Sequence, residues 1–273
     1  MKNRNKTSVF FIILTMALVL ATGCTGTDTP AAEATEQSGG EAMSGKENGM
    51  AVSNLTEDEK RLLTGAFGEE KRIEEGRLFS YQREALDQLR AGESYLKERY
   101  PDRDFQIQSL SPADRFRSWA EIRFKDSGSP LCLVKVFPLE NGTVFRCEDN
   151  FYGYLVEESY DAMIEQILEE TGCPARAYTV FLSTAGEGLP AEPSVEELLA
   201  FDPNLRRQTA LYVSGSVPDE SIRETVQKTL LEKKLYGDYW IYFTGGDITG
   251  DIRDLEAEKG EWDSLLFSCI MRD

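Results

Sequence analysis

Histidine is missing from the 273-residue chain. Its absence removes Ser-His-Asp and Cys-His nucleophile systems, histidine-ligated zinc or haem, and the imidazole proton switch near neutral pH. Catalysis would have to run on carboxylates, Lys, Tyr or Cys. Positive charge is scarce as well: 30 basic against 48 acidic side chains leave a net charge of −18. Nucleic-acid binding depends on clustered Lys and Arg, so the charge argues against that partner. It also repels anionic membrane surfaces, so a membrane contact needs an anchor. No hydrophobic run reaches the roughly 20 residues of a bilayer-spanning helix. No two cysteines stand at Cys-x-x-Cys spacing, which leaves zinc and thioredoxin-like readings weak. What remains, 41% hydrophobic and 10% aromatic, is the composition of a folded protein with one or two domains.

The N-terminus carries the most specific signal. MKNRNK holds three positive charges and no acid, and Val9 to Ala21 is apolar apart from Thr15. That run of 13 residues has the length of a secretory h-region, about 7–15 residues. Residues 1–23 therefore read as a signal peptide. Its removal takes away Lys2, Arg4 and Lys6 and moves the net charge from −18 to −21. Ala21-Thr22-Gly23-Cys24 resembles the lipobox of bacterial lipoproteins, with Ala21 where a leucine is commoner. The resemblance implies cleavage before Cys24 and a diacylglycerol group on its thiol, a lipid attachment site that faces the domain to the extracytoplasmic side. Acyl chains at about 0.8 kcal/mol per buried CH₂ would hold a body that its own charge pushes away.

Residues 24–54 read as the lipidated Cys and a flexible tether. The stretch is rich in Gly, Thr, Ser, Ala and Glu and has no aromatic, so it cannot bury enough surface to offset chain entropy. As a random coil its 30 residues after Cys24 reach on the order of 30 Å.

The folded part divides into residues 55–154, a helix plus antiparallel sheet, and 155–273, a second α+β unit; the fold class is α+β. In the first unit TEDEKRLL predicts a short helix and SYQREALDQLRAGESYLKERYP a long amphipathic one. Ala85, Leu89, Gly92, Leu96 and Tyr100 form one helical stripe, on which Gly92 would let a strand approach closely. Strands are expected at 104–110, 119–125, 130–137 and 143–154, with Asn141-Gly142 as a hairpin turn. A helix followed by such a sheet resembles cystatin-like or PepSY-like modules in topology alone. In the second unit helices are expected at 159–172 and 218–235, and a short one capped by Ser194 with Glu197. Strands are expected at 175–183, 207–215, 238–245 and 263–271.

Candidate sites are few. Cys132, Cys147, Cys173 and Cys269 allow two disulfides in an oxidising compartment. A two-residue turn at 141–142 sets Cys147 opposite Val136, about 13 Å along the strand from Cys132. A disulfide needs Cα atoms within about 7 Å, so this pair is disfavoured and the reduced state of all four is favoured. Asp247, Asp251 and Asp254 in the acidic segment 242–263 offer oxygen ligands for calcium without the EF-hand spacing; solvated aspartates in a glycine-rich strand exit are the preferred reading. In CEDNFYGYLVEE, Phe151, Tyr152 and Tyr154 either stack on a glycan or peptide, or face the core from a strand, and the core is favoured. The paired glutamates mostly read as solvated helix surface. No catalytic, cofactor-binding or metal residue is assigned and no cofactor is expected. The expectation is a membrane-anchored extracytoplasmic lipoprotein whose non-catalytic domain binds an envelope protein, peptide or glycan. The alternative is a carboxylate-based hydrolase acting on glycans.

Overall fold

The structure, a computed structural model, describes residues 50–52, 54–139, 142, 144–215 and 218–269. The signal peptide, Cys24, nearly all of the tether, Asn141 and residues 270–271 of the last expected strand lie outside the described residues. No described helix is long and apolar enough to cross a membrane.

The described residues form an α+β body around two four-stranded sheets. A short pairing of β1 (Met50–Ala51) with β2 (Arg77–Leu78) encloses helices α1 (Glu57–Phe67) and α2 (Glu70–Glu74). Thr56 caps α1 through a reciprocal pair with Glu59, and Gly68 ends it in the left-handed region (φ 74°). The long helix α3 (Ser80–Arg99) then lies across the antiparallel sheet β3 (Gln106–Ser111), β4 (Ala120–Lys125), β5 (Cys132–Pro138) and β6 (Phe145–Asp149), joined in chain order. Ala85, Leu89, Gly92, Leu96 and Tyr100 are all buried, as one face of the helix. Gly92 marks where α3 crosses closest to the sheet: a Cβ there would sit 2.5 Å from Ile122 Cδ1 and 3.2 Å from Val136 Cγ2 and would push these side chains aside. Phe105, Phe124 and Phe151 pack edge-on or tilted at the end of this core.

Cys147 pairs with Val136, as a turn centred on 141–142 requires, and Cys132 lies opposite Phe124 on the other neighbour. Cys132, Cys147, Cys173 and Cys269 are all free thiols.

The second half is built from α4 (Phe151–Glu170), β7 (Ala175–Phe181), α5 (Val195–Phe201), β8 (Arg207–Val213), α6 (Glu220–Glu232), β9 (Gly237–Phe243), α7 (Ile252–Glu258) and β10 (Ser264–Cys269). Its strand order is β10-β9-β8-β7. β8 and β9 run parallel, joined by the α6 crossover, and the other two pairs are antiparallel. Helices α4 and α6 cover one face, where Tyr160, Leu211, Leu230, Tyr239 and Phe267 meet. α7 covers the other through Leu255 against Tyr212 and Ala210.

Two expectations are corrected. The segment 143–154 is not one strand: β6 stops at Asp149 and α4 begins at Phe151, because the Asp149 carboxylate accepts the Phe151 amide (2.8 Å) and starts the helix at once. Segment 242–263, for which the sequence predicts no helix, contains α7, capped by Asp251 accepting from the Arg253 amide (2.9 Å); Asp247, Asp251 and Asp254 are exposed. The Ser194–Glu197 capping box forms as expected, and Gly172 (φ 78°) follows the end of α4.

Candidate binding groove

An open groove of about 680 Å³ lies between α1, α3 and the edge strand β3. Helix α1 contributes Asp58 and Arg61, α3 contributes Glu93 and Lys97, and the chain entering β3 contributes Arg103 and Asp104. Three acids thus face three bases. In a chain of net charge −18 this is a local region of balanced charge. Part-buried Phe105 and Ile107 and exposed Gln106 and Gln108 complete the strand side.

Local structure places these groups. The register of β3 against β4 slips between Ile107 and Ser109, so Gln108 is an extra residue on the edge strand. Arg61 donates to the Ile107 carbonyl (3.0 Å) and to Asp58 (3.3 Å), and so tethers α1 to that edge. Arg103 pairs with Asp126 (3.2 Å). The Glu93 carboxyl is raised above the ordinary range, first by burial and then by the charges of Glu59 and Asp58, against the pull of Lys97. None of these residues stands out in the sequence: Asp58, Arg61, Glu93 and Lys97 fall in expected helices and Ile107 in the expected strand 104–110.

The residues that did stand out lie elsewhere. Phe151 and Tyr152 are fully buried and Tyr154 partly so, which removes them as a ligand-stacking surface. Asp149, their neighbour, is fully buried; it accepts from Tyr95 Oη (2.7 Å), Tyr100 Oη (2.9 Å) and the Phe151 amide, and forms an ion pair with Arg99 (3.2 Å), whose Nε donates to Tyr100 Oη. Arg99 also donates to the carbonyls of Leu189 (2.9 Å) and Pro190 (3.1 Å), and Asp149 pairs its backbone with Ala185. This hub ties the two sheets together; every oxygen of the carboxylate is satisfied, so it is a structural charge.

Asp247 accepts from the amide and hydroxyl of Thr249, and Asp251 caps α7. Among the described residues no group of three His, Cys, Asp or Glu is arranged to hold a metal ion. A second carboxylate cluster does form: Asp161 on α4 accepts the Thr179 amide of the edge strand β7 (3.2 Å), and Glu165 accepts the Ala177 amide (2.9 Å). Helix α4 thereby closes the hydrogen-bonding edge of the second sheet. Burial pushes Asp161 up to about 7; it pushes Glu157 to about 7 too, with the charges of Asp161 and Glu256 adding to it.

Comparison with known proteins finds no family model, no curated protein and no solved structure that matches this chain. The class is thus set by architecture alone: an α+β protein built around two four-stranded sheets.

Proposed function

We propose that the protein is an extracytoplasmic binding module, anchored to the membrane through lipid on Cys24 and working without catalysis of its own. The anchor rests on the local sequence at residues 1–24. The binding reading is carried by one observation, the charge-balanced groove along β3. Alternating acids, bases and amides beside Phe105 suit a polar, extended ligand such as a peptide or glycan of the cell envelope, and neither a cation nor an anion is favoured outright.

Metabolic labelling with a clickable fatty acid tests the anchor: wild type takes up the label and Cys24→Ala does not. Equal labelling of both removes the lipid from the proposal. Calorimetric titration of the full-length protein with soluble peptidoglycan fragments, and separately with an extended decapeptide, tests the groove. Lys97→Ala with Gln108→Ala, both exposed side chains, should weaken saturable binding at least fivefold. Undiminished binding in that variant, or none to either probe, overturns the reading.

A second reading, a carboxylate-based hydrolase, is favoured by the raised Glu93 carboxyl facing Asp58 in the same groove. Glu93→Gln separates the two. Lost turnover of peptidoglycan fragments with binding retained supports hydrolysis, and the absence of turnover in the wild type excludes it for that substrate.

A further inference from the structure

A second cavity, of about 220 Å³, lies where the chain enters β8 and β9 and where β10 ends, with Asn204, Arg206, Arg207, Tyr236, Asp238 and Cys269 in its wall. Arg207 opens β8 and is 0% exposed. Its guanidinium lies over the Tyr160 ring, 5.0 Å from the centroid. Nε, Nη1 and Nη2 each meet no hydrogen-bond acceptor. A guanidinium does not deprotonate inside a protein, so it cannot shed its charge to escape burial. A cation–π contact recovers only part of the desolvation cost. Native folds rarely leave three donors of one side chain unused. The acid nearest in the wall, Asp238, accepts from Ser268 Oγ (2.6 Å) and forms no ion pair with Arg207.

We propose that this cavity binds a small oxyanion, a carboxylate or phosphate, with Arg207 as its principal donor and Arg206 at the mouth. The planar guanidinium fork matches two oxygens of either group. At about 30 Å³ per water the cavity holds about seven waters, room for a phosphate or a short carboxylic acid. It is smaller than the roughly 300–1,000 Å³ sites of drug-sized ligands. Two arginines against Asp238 leave the wall net positive in a strongly acidic chain. The Arg207 nitrogens are sealed from water, so entry is coupled to a small opening at the strand ends, and the bound anion then links β8 to its neighbours.

The test titrates the full-length protein in mild detergent with sodium phosphate and with sodium acetate, each against sodium chloride at matched ionic strength. Saturable binding to at least one oxyanion, with a matching rise in Tm, is expected; which of the two salts acts identifies the anion. Arg207→Met should abolish both effects. Arg206→Glu changes only an exposed side chain and should weaken binding at least fivefold, and it decides alone if Arg207→Met does not fold. No saturable binding to either salt, an equal response to chloride, or unchanged affinity in Arg206→Glu overturns the proposal.

Discussion

The two sheets each bury a full charge, and they treat it in opposite ways. At the end of the first sheet Asp149 is 0% exposed, with three hydrogen-bond donors, Tyr95, Tyr100 and the Phe151 amide, and the Arg99 ion pair converging on it. At the start of β8 Arg207 is equally buried, and its guanidinium nitrogens meet no acceptor. Burying a carboxylate is tolerable when each lone pair is met, and the network then orders everything that contributes to it. The same burial without partners is a standing cost. The first charge therefore belongs to the architecture, and the second is where the fold has a need left over.

The largest effect should come from breaking the first charge. Asp149→Ala leaves Tyr95 and Tyr100 without their acceptor and Arg99 without its ion-pair partner at the junction of the sheets. A loss of about 3–5 kcal/mol is expected in urea unfolding, and Asp149→Asn should lose less. A shift under about 1 kcal/mol for the alanine variant would mean that the hub does not hold the sheets together.

The next effect has the opposite sign. Arg207→Met, measured without phosphate or carboxylate buffers, should gain on the order of 1–3 kcal/mol, since an apolar chain of similar length removes an unpaired buried cation. If it is destabilised to the extent that Asp149→Ala is, the contrast between the two charges collapses. Gly92→Val probes the α3 crossing of the first sheet: its Cβ would lie 2.5 Å from Ile122 Cδ1, and a loss of about 1–3 kcal/mol by thermal unfolding is expected.

The smallest effect is a pH dependence in the second half. Burial holds the folded Asp161 at about 7, whereas an unfolded Asp titrates near 3.9. Between these values the folded state keeps a proton that the unfolded state has released, so stability falls as pH rises across about 4 to 7. Glu157, raised to about 7, adds a slope of the same sign. Glu165 and Arg176 face the same site with opposing charges. Asp161→Asn keeps an acceptor for Thr179 and should stabilise the protein by about 1–2 kcal/mol at pH 8, with the gain fading by pH 5. Unfolding curves for both proteins at the two pH values check this; parallel pH dependence in mutant and wild type would rule out Asp161 as its source.

Much of the first sheet was legible because its signals are local. The α3 stripe repeats every three or four residues, and its one glycine marks a close crossing. The 141–142 turn sets which residues face each other, so Cys147 falls opposite Val136 and a Cys132–Cys147 bridge is ruled out. The Ser194 cap likewise needs only the residue three positions on. The strand-to-helix switch at Asp149 was misread because β-like aromatic alternation and a helix start look alike until the carboxylate's partner is known.

What sequence alone determined is whatever depends on neighbours within a turn or a strand pair: the absence of histidine chemistry, the helix stripes, the caps, the hairpin register. Tertiary structure decided the roles of the charges. Asp149 and the Tyr95 hydroxyl are 54 residues apart, and Arg207 meets Tyr160 across the second core. A carboxylate in CEDN and a guanidinium in NLRRQ look like solvated side chains in the chain, because desolvation depends on what the whole fold places around a charge.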